Sequence, residues 1–207
     1  MLSRRPAARP VGGLAKEAPA AAADVHAVVL VEGTSDRHAL EALARRRGRQ
    51  LDAEGIAVVP IGGAQAIRTF LERYGPRGLD LRLAGLCDAG EADDFRRGLE
   101  RAGFGSDLTR DDMERLGFYV CDADLEDELI RALGTDAVER IVEAQGELRS
   151  FRTLQKQSVW RGRPVDEQLR RFMGSGGSRK IRYACLLVET LDLAHVPRPL
   201  DKVLTHV

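Results

Sequence analysis

The chain is poor in cysteine: Cys87, Cys121 and Cys185 are the three in 207 residues, far apart, odd in number and without a CxxC spacing. They exclude a disulfide framework and a cysteine zinc site, and they point to a reducing, cytoplasmic setting. Residues 1–24 are rich in Ala, Pro and Arg but hold no continuous apolar h-region. They read as a disordered tail. No run anywhere approaches the roughly 18–20 apolar residues of a membrane span. Excess charge is lacking too, because 32 Lys and Arg balance 32 Asp and Glu, for a formal net charge of zero. That excludes retention on nucleic acid or anionic lipid by bulk charge, and leaves room for a locally basic surface. No GxxxxGK(S/T) phosphate loop is present, so ATP, if it matters here, is expected on another chain.

What is present suffices for a large domain, or for one domain with an appended subdomain. The apolar fraction of 43% is enough for a buried core. Residues 25–31 form a short apolar run ending in Glu32-Gly33, followed by the capping types Thr34-Ser35-Asp36. A run of this kind bounded by a turn predicts a strand buried on both faces, as in a parallel sheet. A helix is expected over 36–47, stopped by Gly48. The same grammar returns as strand 56–61 with helix 64–73, strand 79–87 with helix 91–102, and strand 117–121 with helix 124–133. Alternation of this kind predicts an α/β fold with a largely parallel sheet. Beyond Gly134 the pattern is helical, with helices expected near 135–145, 147–157, 165–173 and 178–191 and a Pro-containing tail from Pro197. The expected division is a tail over 1–24, an α/β domain over 25–134 and a helical extension over 135–207 packed on it.

The acids gather at the strand ends, where open α/β sheets bind their ligands. Glu32 closes the first strand and Asp88 the third; Asp122, Asp124 and Glu126 follow the fourth. Clustered carboxylates repel one another and are costly to bury. A hard divalent cation such as magnesium resolves that cost with all-oxygen coordination. At about 100° per residue, Asp36 shares a helix face with Leu40 and Leu43 and should point inward. In DLEDELIRAL, Glu126 falls within the apolar arc of Leu125, Leu129, Ile130 and Leu133, whereas Asp127, Glu128 and Arg131 fall on the other side. An inward acid among apolar residues needs a partner.

These residues carry a resemblance. VVLVEGTSDRHALEALARR, VVPIGGAQAI, LCDAGE and DADLEDELIRALG resemble the Toprim domain of the overcoming-lysogenization-defect (OLD) nucleases, with a Rossmann-like parallel sheet. The likeness covers roughly Val25 to Leu133, and its opening strand ends in the EGxS(D/E) of Toprim domains. GSRKIRYACLLVETL is similar, more weakly, to the helix bearing that family's active-site lysine. The resemblance implies a magnesium- or manganese-dependent endonuclease holding one or two ions, with nucleic acid, DNA rather than RNA, as its partner. It implies Glu32, Asp36, Asp88 and Glu126 as metal ligands, and Glu32 and Lys180 as catalytic groups. Glu91, Asp122 and Asp124 are weaker ligand candidates.

Two departures follow. Gly90 stands where the second Asp of the family's DxD motif belongs, and Glu91 is one residue late. The family also carries an ATPase domain ahead of its Toprim domain, for which 24 residues leave no room. The expectation is a stand-alone Toprim chain, with a separate ATPase subunit as a candidate partner and a homodimer compatible with the sequence. The competing reading is a Toprim-like nucleic-acid-binding or regulatory subunit that has lost one metal site at Gly90. Another phosphoryl transfer, as in primases or topoisomerases, ranks lower because neither a topoisomerase tyrosine context nor a primase zinc module is visible. With no net charge, substrate grip falls to Arg161 and Arg163 beside Trp160, Arg170-Arg171, and Arg179, Lys180 and Arg182. Gly62-Gly63 is read as a tight turn and residues 174–178 as a hinge into a helix capped by Ser178.

Overall fold

The fold was analysed in a computed structural model, which describes residues 25–207; the expected tail over 1–24 lies outside them. Four strands, β1 (Ala27–Val31), β2 (Ile56–Pro60), β3 (Arg82–Cys87) and β4 (Phe118–Val120), form one parallel sheet in the order β2-β1-β3-β4. Every residue of β1 is buried, as its unbroken apolar run predicts for a central strand covered on both faces. The register pairs Val31 with Pro60 and with Leu86, so the carboxyl ends of the inner strands lie level.

Helices α1 (Thr34–Arg46), α2 (Ile67–Tyr74), α3 (Ala92–Ala102), α4 (Arg110–Arg115) and α5 (Leu125–Leu133) accompany the strands. Then follow α6 (Thr135–Ala144), α7 (Leu148–Gln155), α8 (Val165–Met173), α9 (Gly177–Thr190) and α10 (Arg198–His206). One core, built on Val28, Leu30, Phe95, Leu99 and Phe118, fills the side of the sheet under α2 and α3. The other joins Val29, Val31, Leu40 and Leu43 to Phe151, Phe172, Tyr183, Leu187 and Leu204. Helix α9 packs along α1 and α5, and α10 lies under β3 and β4. Residues 135–207 therefore share a core with the sheet.

Several boundaries differ from expectation. Strand β3 begins at Arg82 rather than at 79, because the turn after α2 runs to Asp80, held at φ 51°. A six-residue helix, α4, was not foreseen; Thr109 caps it by accepting the Asp112 N–H. The tail from Pro197 is instead helix α10, with Pro199 in its first turn, where proline's missing N–H costs nothing. Helix α9 starts one residue early: Gly176 is its N-cap, at φ 105°, and Ser178 lies inside the helix rather than capping it.

Candidate metal centre

The chain leaves β1 through Glu32, whose backbone carbonyl accepts the N–H of Gly62 at 3.0 Å and of Gly63 at 3.4 Å. Those glycines, both at positive φ, form the tight turn expected of them, and their amides fix the end of β1. Four residues on, Asp36 points inward from the first turn of α1, 8% exposed. Its Oδ2 accepts the N–H of Gly33, the N-cap of that helix, at 2.8 Å. Asp88 ends β3 and turns into a 3-10 turn, Ala89–Glu91, which precedes α3. On α5, Glu126 is 2% exposed, as its helical phase predicts. Lys180 reaches it from α9, with Nζ 3.4 Å from Glu126 Oε2.

Burial and mutual repulsion are written into the protonation of these acids. Burial pushes Glu126 up to about 7, against Lys180 and reinforced by Asp124 and Asp36. Asp88 rises to about 7 through burial and the charges of Asp36, Glu32 and Asp124, with Lys180 opposing. Glu32 rises to about 7 through burial and a contact with the Glu91 carboxyl. Asp36 is raised by burial, against the Gly33 N–H and Lys180. Burial disfavours charge on Lys180, but Glu126, Asp36 and Asp88 outweigh it and raise its pKa. Lys180 on α9 thus acts on all four acids, Glu32, Asp36, Asp88 and Glu126.

Other expected residues have other work. Asp124 caps α5 by accepting the Asp127 N–H at 2.8 Å, and its Oδ2 takes a 2.5 Å ion pair from Arg170 Nε on α8. Exposed Asp122 pairs with Arg131 at 3.2 Å and Arg110 at 3.5 Å. Glu128, expected on the outer side of α5, is buried: its Oε1 accepts the Asp122 N–H at 2.8 Å and its Oε2 pairs with Arg131 at 2.9 Å. Simple helical phase fails there because a first-turn side chain folds back onto the preceding loop. Arg161 and Arg163 turn to the Lys156 and Val159 carbonyls, Arg163 lying over the Trp160 ring. Arg179 and Arg182 pair with Glu147 and line a cavity of about 400 Å³ with Ser175 and Ser178. Arg170, at the rim of the acids, is the arginine whose ion pair joins the centre.

The donor set is carboxylate oxygen throughout, which suits a hard divalent cation. Glu126 Oε1 and Glu91 Oε2 are buried without a hydrogen-bond partner, as acceptors in want of a positive group. Among the described residues no three His, Cys, Asp or Glu side chains already stand close enough to hold one ion. By the chemistry of their donors the residues fit such a cation.

Residues 25–89 match the family profile of the overcoming lysogenization defect protein-like, TOPRIM domain. Over those residues the chain is similar to an OLD-like Toprim domain. Its fold is shared with the C-terminal region of the Burkholderia pseudomallei OLD protein at a TM-score of 0.68 and 21% identity, over 88% of this chain and 96% of that one. The C-terminal region of the Xanthomonas campestris pv. campestris OLD protein, phased with platinum, matches at a TM-score of 0.65 and 23% identity, over 88% and 92%. No curated protein sequence matches the chain. The profile stops at residue 89, just before Gly90, whereas the structural likeness runs on through most of the helical extension. Among the described residues no helix is long and apolar enough to cross a membrane.

Proposed function

We propose that this OLD-like Toprim chain is a magnesium- or manganese-dependent nuclease that hydrolyses nucleic-acid phosphodiester bonds. One observation carries the reading: Glu126, almost wholly buried and with one oxygen unpartnered, meets Lys180 at 3.4 Å and feels the charges of Asp36 and Asp124. Glu32, Asp36, Asp88 and Glu126 are the cation-holding carboxylates. A bound divalent cation would supply Lewis acidity there, activating a water and offsetting charge on the leaving oxygen.

The chain's own groups do the rest. Strands β1 and β3 fix the acids from a rigid sheet edge, so little reorganisation is needed when a phosphate arrives. Lys180, its charge stabilised by three acids, offers an ammonium to the negative charge that develops at phosphorus. Arg170 holds Asp124 and adds positive charge at the rim. Arg161, Arg163, Arg179 and Arg182 are candidate backbone-phosphate contacts, and an ATPase subunit is a candidate partner. A second reading, a nucleic-acid-binding or regulatory subunit, is favoured by Gly90.

The test is cleavage of supercoiled plasmid with Mg²⁺ or Mn²⁺ by the wild type, Glu32→Ala and Asp88→Ala. Metal-dependent nicking that both substitutions abolish is the expected result. A folded wild type inert with either metal would defeat catalysis and leave the second reading.

A further inference from the structure

Lys180 reaches Glu126 from the first turn of α9, and that turn has little of its own to hold it. Its N-cap, Gly176, stands at φ 105° and offers no side chain to the free amides, and Gly177 opens the helix. Glycine loses the most conformational freedom on ordering. No acid lies in the first turn, which carries Arg179 and Lys180 instead. Cations at the positive end of a helix dipole oppose the helix. A start that is glycine-rich, uncapped and cationic is prone to fray, and a frayed start would leave the Lys180 ammonium without a fixed direction.

The missing negative charge comes from another element. Glu147 is the N-cap residue of α7, yet its carboxylate leaves that helix uncapped and turns to α9. Its Oε1 lies 3.2 Å from Arg179 Nη2; its Oε2 accepts the Tyr183 hydroxyl at 2.7 Å and pairs with Arg182 Nη2 at 2.8 Å. Burial pushes the Glu147 pKa up, but Tyr183, Arg182 and Arg179 outweigh it and hold the carboxyl below its ordinary value. Arg179 also donates to Ser175 Oγ at 2.7 Å and lies over the Phe172 ring, so the clamp reaches the end of α8. Tyr183 is fully buried in the core shared with the sheet. At about 100° per residue, Lys180 stands on the stripe of buried Ala184 and Leu187, with Tyr183 and Arg179 on one flank. Turning α9 about its axis would swing Lys180 away from Glu126, and the three-donor clamp resists that turn. We propose that Glu147 is a positioning residue for Lys180: by gripping Arg179, Arg182 and Tyr183 it fixes the first turn of α9 and so aims the Lys180 ammonium at Glu126. The inference rests on the role that the nuclease reading gives to Lys180.

The experiment reads Lys180 itself. Reductive ¹³C-methylation keeps lysines charged and labels all four of the chain, Lys16, Lys156, Lys180 and Lys202; Lys180→Arg identifies the Lys180 carbon resonance by its loss. Spectra of the full chain, in EDTA at one pH, compare the wild type with Glu147→Gln, Glu147→Asp and Arg182→Gln, and thermal melts check that each is folded. In the wild type the Lys180 signal should stand apart from those of exposed Lys156 and Lys202. Glu147→Gln should move it to theirs, and Glu147→Asp, which keeps the charge, should retain more of the offset. Arg182→Gln removes one partly exposed donor and should give a smaller shift in the same direction; it decides the matter if Glu147→Gln does not fold. A folded Glu147→Gln protein with the Lys180 signal at its wild-type position would overturn the inference, as would a wild type whose Lys180 signal already coincides with those of the exposed lysines. In the plasmid assay Glu147→Gln should lower kcat by about tenfold or more without raising KM, and an unchanged kcat would overturn the inference as well. A wild type that nicks nothing defeats the nuclease reading and leaves the lysine spectra to decide the place of Glu147.

Discussion

At the scale of single residues the acidic centre sets an unusual pH dependence. A free Asp or Glu titrates near 4 in an unfolded chain, whereas burial and neighbouring charges hold Glu32, Asp88 and Glu126 near 7 in the folded one. Between those values the folded protein binds more protons than the unfolded one. Stability from these groups is therefore full below about pH 4 and falls as pH rises, until the penalty is complete above about 7. Acids held low by arginines and capping contacts, such as Glu114 and Asp112, act oppositely but only below the ordinary carboxylate range. In EDTA, melting temperature should be higher at pH 5.5 than at pH 8, and Mn²⁺ at pH 8 should close the gap by binding the ionised acids. Glu126→Gln should flatten the profile and stabilise the EDTA form at pH 8 by on the order of 2 kcal/mol. Melts of wild type that are level between the two pH values, or rise toward pH 8, would show that the acids carry no such burden. Most of this centre was legible in the sequence, since strand-end position and helical phase find Glu32, Asp36, Asp88 and Glu126. Glu91 was harder: spacing along the chain does not say whether a carboxyl turns to its own helix or to a neighbouring strand.

At the scale of elements, the connection from β4 to α5 decides where Glu126 points. Glu128 ties the backbone of Asp122 to Arg131, and Arg131 also pairs with Asp127 at 2.9 Å. This knot fixes the start of α5 and hence the phase that carries Glu126 inward. Glu128→Ala leaves the Asp122 N–H without its acceptor and Arg131 with partners in solvent. The expected cost is about 1–2 kcal/mol in urea unfolding, with weaker Mn²⁺ binding and an unchanged number of ions. Unchanged stability and affinity would make the knot ornamental. The sequence could not announce it, because a 3.6-residue period describes where Cβ leaves the helix and not where a long first-turn side chain ends. The same limit hid α10: Pro197 and Pro199 read as breakers, although a proline in the first turn is as good a helix start as any. The strand–turn–helix grammar, by contrast, placed all four strands, because runs buried on both faces leave an unbroken apolar signature.

At the scale of the whole molecule, the question is whether residues 135–207 are a separate module or part of the domain that carries the acids. Lys180 stands on α9, which packs along α1 and α5, so the helix that charges the centre is also a wall of its core. Tyr183, Leu187 and Leu204 are buried in the same cluster as Val29 and Val31 of the central strand. A shared core of this kind couples unfolding of the two parts. Trp160, the chain's single tryptophan, lies between α7 and α8 and reports on the helical extension, while far-UV circular dichroism reports on the whole. In urea the two signals should trace one transition. Leu204→Ala, a truncation in α10 beneath the sheet, should move both together by about 2–4 kcal/mol. Trp160 fluorescence that melts ahead of the dichroism, or a Leu204→Ala shift confined to one signal, would mean that the extension folds apart. Lys180 would then be delivered to the acids by docking rather than built in, and the centre would exist only while the two parts stay together.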